Sequence, residues 1–279
     1  MLLPAQKSRL LLPWYARYAR RLLRRGFARV WVGGATWPGG TERAAGPVIG
    51  YLNHSAWWDP IVLLFLSHDV FRCDGYGLMQ GAQLQRYPFF RQIGCFGTTG
   101  DGIDDARAVA SYAATLLRGA AGRTLWIFPQ GALLPARVPL TFRSGLARLE
   151  RAVPEATAVP VALRYELRAE QRPELFVRVG APLPPEGGAV DGTMRAAAHR
   201  TRRLERALRD ELARLDEELL RTPVERPLPG YRAALQGGGS LSAFWDRTAG
   251  RWRRGDDARD PDGPSGGAPP VRLDRSKHR

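Results

Sequence analysis

Four short runs rich in β-branched and apolar residues, Val48–Leu52, Thr124–Phe128, Thr157–Arg164 and Leu175–Val179, recur along the chain with helical segments among them. Runs of this length, bounded by Gly, Pro and polar clusters, are strands. Between and after them the apolar residues take up a helical period. One helix is predicted from Pro60 to about Ser67. A second spans Asp104 to Arg118, with Val109, Tyr112, Ala113 and Leu116 on one face and Gly119 just past its end. A third covers Thr193 to about Arg221, where Leu204, Leu208, Leu212, Leu215 and Leu219 form a narrow seam. That seam either docks on its own domain or joins two copies of the chain. Strands alternating with helices predict an α/β fold, a single mixed or parallel sheet flanked by helices.

The two ends differ from this middle. From Pro13 to Val32 the chain reads as one basic amphipathic helix. Tyr15, Tyr18, Ala19, Leu22, Leu23 and Val30 lie on one side, with Arg17, Arg20, Arg21 and Arg24 opposite. Aromatic residues and leucines facing arginines suit a helix lying in a lipid interface. The alternative is a helix packed on the domain with a solvated basic face. Gly33-Gly34 and Pro38-Gly39-Gly40 then mark a linker. Beyond Pro223 come Gly237-Gly238-Gly239 and a short aromatic, basic piece from Leu241 to Trp252. The rest is dominated by Pro, Gly, Asp and Arg. The expected organisation is therefore a membrane-associating segment and linker over 1–40, the α/β domain over 41–222, and an extension over 223–279, disordered after 254.

Charge narrows the partners. The net charge is +15, and the first thirty residues hold eight Lys or Arg and no acid. An anionic partner follows, either nucleic acid or the surface of an anionic membrane. The basic residues sit on an amphipathic terminus rather than on an element that reads bases, so no nucleic acid is expected. No apolar run of ~18 residues is present, which argues against a transmembrane helix. Leu10-Leu11-Leu12, interrupted by Pro13 and arginines, does not make a cleavable signal peptide. Cys73 and Cys95 have no metal spacing, and the four histidines are scattered, so no metal is expected.

The residues carrying chemistry lie in Gly46-Pro-Val-Ile-Gly-Tyr-Leu-Asn-His-Ser-Ala-Trp-Trp-Asp-Pro60. A strand ends at Leu52 and delivers Asn53 and His54. Asp59 follows, with Pro60 suited to the first position of a helix. Histidine is the side chain best matched to moving a proton near neutral pH. A carboxylate one helical turn away can hold its tautomer. With no nucleophilic serine in the arrangement, the pair suits direct attack by a substrate hydroxyl. The bland alternative is a polar loop that caps a helix.

Further blocks follow in a set order. They are Leu84-Gln-Arg-Tyr-Pro-Phe-Phe90, Gly94-Cys-Phe-Gly-Thr-Thr-Gly100, Trp126-Ile-Phe-Pro-Gln-Gly131, Phe142-Arg-Ser-Gly145 and Ala158-Val-Pro-Val-Ala-Leu163. This succession, from Gly46 to Pro184, resembles the glycerolipid acyltransferases, the bacterial 1-acylglycerol-3-phosphate acyltransferase family. Its Asn-His-x4-Asp and Phe-Pro-x-Gly blocks, about 75 residues apart, are specific as a pair. The resemblance implies the family's α/β fold, His54 as general base and Asp59 as its orienting partner. It implies transfer of a fatty acyl group from acyl-CoA or acyl carrier protein, as co-substrate, to a lipid hydroxyl, with no cofactor and no covalent enzyme intermediate. It places Asn53, Phe128, Pro129, Gln130 and Gly131 at the substrate, and the enzyme at the cytoplasmic face of the membrane in phospholipid biosynthesis.

Two blocks depart from the family pattern. Gly97-Thr-Thr-Gly-Asp101 lacks the usual arginine, and Phe128-Pro-Gln-Gly-Ala-Leu133 replaces Phe-Pro-Glu-Gly-Thr-Arg. Both missing arginines are ones expected to hold the acceptor's phosphate. Arg137 and Arg143, from nearby loops, are the candidate replacements. Thr98 and Thr99 offer uncharged hydrogen bonds where charge is expected, which suits a neutral polar acceptor. Trp57 and Trp58 either line an acyl channel or serve packing and interfacial anchoring. The acceptor expected is of lysophosphatidate type. Alternatives are a non-phosphorylated acceptor (a glycosylated carotenoid or a lyso-aminolipid) and a non-catalytic relative that binds lipid.

Overall fold

The computed structural model describes residues 1–38, 46–184 and 193–238, all within one compact unit, Met1–Gly238. Gly39 and Gly40 of the expected linker, the Leu241–Trp252 piece and the tail expected to be disordered lie outside the described residues.

One mixed nine-stranded sheet organises the unit. The strands are β1 (Leu2–Leu3), β2 (Arg29–Gly34), β3 (Val48–Leu52), β4 (Asp74–Leu78), β5 (Cys95–Thr98), β6 (Arg123–Ile127), β7 (Thr157–Glu166), β8 (Glu174–Val179) and β9 (Arg232–Gln236). Their spatial order is β1-β5-β4-β6-β3-β7-β8-β2-β9. The centre, from β5 through β4, β6 and β3 to β7, is parallel, and β7–β8 is antiparallel. β3 thus sits between β6 and β7, with all five of its residues buried. A strand covered on both faces reads as a continuous apolar run, which is why Val48–Leu52 is legible.

Alternation along β3 feeds two apolar layers. Ile49 and Tyr51 join Leu125, Ile127 and Phe176 beneath α5 (Ile103–Leu117), α6 (Gly145–Ala152) and α7 (Met194–Arg221). Val48 and Leu52 join Val159, Val161 and Leu163 on the other face, under α1 (Leu11–Gly26) and α2 (Asp59–Phe65). The leucine seam of α7 faces its own sheet, with Leu204, Leu208 and Leu215 fully buried. Two short helices, α3 (Gly81–Arg86) and α4 (Phe89–Gln92), connect β4 to β5.

The N-terminal reading needs one correction. A single helix over Pro13–Val32 does not form. α1 ends at Gly26, and Phe27 turns into extended backbone. Arg29–Gly34 is a strand that pairs parallel with β8. Two causes act together. A side chain at Gly26 would meet the Trp58 ring at 2.8 Å, so the chain is pressed closely against α2 there. The run Val30-Trp-Val32 is β-branched and aromatic, and favours a pleated, buried site over a helix. With β9 it extends the sheet at the β8 edge. Strand residues therefore come from both segments that flank the expected domain.

α1 presents three faces. Ala16, Ala19 and Leu23 pack inward. Trp14 and Tyr18 remain 60% and 51% exposed and stack on one another at 5.9 Å. Arg17, Arg20, Arg21, Arg24 and Arg25 face solvent beside them. The buried face realises the packed-helix reading, yet an aromatic stripe is left in the open.

Candidate active site

The parallel strands β3 and β6 end side by side, and their connections build the site. Loops at the carboxyl ends of such strands are where α/β sheets gather ligand-binding groups. Asn53 leaves β3 and clasps β7. Its Oδ1 accepts from the Leu163 N–H at 2.9 Å, and its Nδ2 donates to the Leu163 carbonyl at 3.1 Å. The clasp holds the start of the His54 loop on the neighbouring strand.

His54 Nδ1 lies 2.7 Å from Asp59 Oδ2. Asp59 is fully buried at the first turn of α2. The same Oδ2 accepts the backbone N–H groups of Ser55 at 2.9 Å and Ala56 at 3.0 Å. A carboxylate oxygen that already accepts two backbone N–H groups calls for a hydrogen on Nδ1, so in the neutral imidazole the lone pair lies on Nε2. The imidazole is 20% exposed. Its face stacks on Phe128, with centroids 4.2 Å apart and planes 18° from parallel.

The loop after β6 grips the same turn. Gln130 Oε1 accepts the His54 N–H at 2.8 Å, and the Leu134 N–H donates to the His54 carbonyl at 3.0 Å. Gln130 thus holds His54 in place without adding charge beside it. Gly131 turns with φ +70°, a conformation side chains resist. A Cβ there would also meet Arg143 Nε at 2.8 Å. Arg143 is exposed against this turn, its backbone N–H bonded to the Pro129 carbonyl at 2.9 Å. Among the described residues it has no carboxylate partner.

Two cavities adjoin the His54–Phe128 stack, one lined by His54 and the other by Phe128. One, of about 330 Å³, is lined by Asn53, His54, Gln130, Leu134, Arg164 and Asp216, with Arg209 beyond them. Its charges are internally paired. Arg164 bonds Asp216 through two nitrogens, at 2.6 and 2.7 Å, and Arg209 is paired with Glu205. The other cavity, about 90 Å³, is mostly apolar, with Leu63, Leu64, Phe90, Ile93, Trp126 and Phe128 in its wall.

The expected site residues divide accordingly. Asn53, His54, Asp59, Phe128, Pro129, Gln130, Gly131 and Arg143 come together. Arg137 and Arg143 are both exposed and line neither cavity, and Arg143 belongs with the site only through its packing on the Gly131 turn. The hydroxyls of Thr98 and Thr99 are engaged elsewhere. Thr98 Oγ1 donates to Asp105 Oδ1 at 2.5 Å, and Thr99 Oγ1 lies 3.2 Å from the Met1 ammonium. Trp58 packs edge-on against Phe27 at 5.1 Å, whereas Trp57 is 69% exposed. Sequence reasoning misses Arg164 and Asp216, on elements far apart in the chain, and Tyr165, whose only signal is a hydroxyl near the end of an apolar strand.

Residues 39–164 match the family model described as Acyltransferase. The chain carries an Acyltransferase domain. The matched stretch contains His54, Asp59 and the Phe128–Gly131 turn. Acyl transfer is the reaction class of this acyltransferase. Among solved structures, the chain is similar to the 1-acyl-sn-glycerophosphate (LPA) acyltransferase PlsC from Thermotoga maritima. The TM-score is 0.50 at 14% identity, covering 72% of this chain and 79% of that one. At that identity the likeness is one of fold. No curated protein matches the sequence.

Proposed function

We propose that the acyltransferase works at an anionic membrane surface and moves a fatty acyl group from acyl-CoA or acyl carrier protein to the free hydroxyl of a lysophosphatidate-type lipid. The observation that carries this reading is the His54 Nδ1–Asp59 Oδ2 hydrogen bond beside the stack that a polar and an apolar cavity adjoin. In the proposed reaction, His54 Nε2 takes the proton of the acceptor hydroxyl as its oxygen attacks the thioester carbonyl. The tetrahedral intermediate then collapses, the carbon–sulfur bond breaks, and the imidazolium returns the proton to the departing thiolate. The small apolar cavity suits only the first carbons of the acyl chain. The aromatic and arginine faces of α1 suit a helix seated at the headgroup level. Among the described residues, no helix is long and apolar enough to cross a membrane.

In this reading Arg143, beside the Gly131 turn, meets the acceptor's phosphate. Arg143→Ala is expected to raise the KM for lysophosphatidate by about ten-fold, the weight of a charge-assisted hydrogen bond, with kcat nearly unchanged. The KM for the acyl donor stays as it was. Steady-state kinetics in mixed vesicles measure both.

A second reading rests on a separate observation. Arg164 and Arg209, the arginines in the polar cavity, are already matched by Asp216 and Glu205. A cavity of balanced charge favours a neutral hydroxyl acceptor over a phosphate monoester. A panel of lyso-lipids and neutral hydroxyl lipids, offered with one labelled acyl thioester, decides between the readings. Preference for lysophosphatidate supports the first. Equal or better turnover of a neutral acceptor replaces it with the second.

A further inference from the structure

The Asp59 carboxylate has a second oxygen, and one side chain holds it. Tyr165, near the end of β7, donates its O–H to Asp59 Oδ1 at 2.5 Å. With Oδ2 taken by His54, Ser55 and Ala56, both oxygens are engaged and the carboxylate cannot rotate. Among the described residues, no Lys or Arg pairs with Asp59. Its charge is met by neutral donors and by the imidazole alone.

Register explains how a residue so distant in sequence arrives there. β3 and β7 pair in parallel as far as Leu52 and Val161. The Asn53 clasp continues that registry to Leu163. Tyr165, two residues on, faces the same side of the sheet as Leu163. That side is the one α2 covers, with Asp59 at its first turn. The Tyr165 ring is seated against Phe27 at 5.7 Å, and Phe27 against Trp58 at 5.1 Å. Burial, with the Asp59 charge behind it, pushes the phenol far above its ordinary range, so it stays protonated and donating at any working pH.

We infer that Tyr165 is a positioning residue of the acyl-transfer site, acting on His54 through Asp59. The inference rests on the assignment of His54 as base. The phenol shares the carboxylate's charge and fixes the plane in which Oδ2 faces Nδ1. Without the O–H, more of that charge falls on the imidazole side. The protonated ring is then favoured, and its alignment is looser. The other charged groups about His54 are Arg164, Asp216 and Arg209 on the polar side and Lys7 on the apolar side, where His68 also lies. Among the described residues, none of them is bonded to the Tyr165 hydroxyl.

Tyr165→Phe keeps the ring and deletes only the hydroxyl. In vesicles of anionic lipid with acyl-CoA and lysophosphatidate, kcat is expected to fall about ten-fold, with little change in either KM. The acidic limb of the kcat/KM profile is expected to move to higher pH. In an Asp59→Asn background the same change is expected to cost less than about two-fold, because its target is gone. Fluorotyrosine incorporated at position 165 is a stronger donor and is expected to move the limb the other way. It also serves if the phenylalanine variant fails to fold. Wild-type kcat and an unmoved limb in a folded Tyr165→Phe or fluorotyrosine protein would overturn the inference while leaving His54 as base intact. Absence of transfer by the unmodified enzyme would instead overturn the reading beneath it.

Discussion

His54→Ala is expected to lower acyl transfer by about 10²–10⁴-fold, the range a positioned general base contributes. Among the described residues, nothing else beside the acceptor cavity is placed to do its work. The ring alone combines an Nδ1 anchored on a buried carboxylate with an Nε2 left as a base. The loop should survive the change. The backbone N–H of residue 54 still donates to Gln130, its carbonyl still accepts from Leu134, and Asp59 keeps three other donors. Thermal unfolding and sedimentation with anionic vesicles are therefore expected to match the unmodified protein, so that the loss registers in the rate alone.

Changes at Asp59 are expected to be as large in rate and larger in stability. Asp59→Asn is nearly isosteric, and its amide oxygen takes the Oδ2 place, where the Ser55 and Ala56 N–H groups require an acceptor. The ring keeps its partner but loses the negative charge that stabilises the imidazolium. A loss within the ~10²–10⁴-fold that a positioned base contributes is expected in kcat. Asp59→Ala goes further. It leaves the Ser55 and Ala56 N–H groups and the Tyr165 O–H without their acceptor, in a place water does not reach. Each buried donor stranded in this way costs about 1–3 kcal/mol. Urea unfolding should show a marked fall in midpoint for Asp59→Ala, and a smaller one for Asp59→Asn.

The reach of the sequence follows from how local each feature is. His54 and Asp59 are legible because one strand end and one helical turn bring them together. β3 and β6 are legible because burial on both faces makes their runs apolar throughout. β4 and β5 are less so. Asp74-Gly-Tyr-Gly-Leu78 and Cys95-Phe-Gly-Thr98 are short and glycine-bearing, and they form only because β6 offers an edge to pair with. β2 hides behind a basic helix in the same apolar stretch, and parallel pairing with β8, about 145 residues away, decides the matter. Tyr165 belongs to the same class of long-range feature, since it meets Asp59 only after β7 has paired with β3. Arg164 is likewise unreadable as a cavity residue until α7 brings Asp216 beside it.

The fold places one base and no activated nucleophile at the stack that the two cavities adjoin. The Ser55 hydroxyl lies 3.4 Å from the Asn53 amide, and among the described residues no hydroxyl or thiol is bonded to the His54 ring. The account therefore requires the acyl group to pass directly from thioester to acceptor. The most direct test is to incubate the protein with labelled acyl thioester, with and without lysophosphatidate in anionic vesicles, and to follow the label in lipid and in protein. The predicted result is label in diacylated lipid only when the acceptor is present, with none held covalently by the protein at any time. Label that accumulates on the protein and then chases into lipid, or no labelled lipid from any hydroxyl acceptor offered, would contradict it.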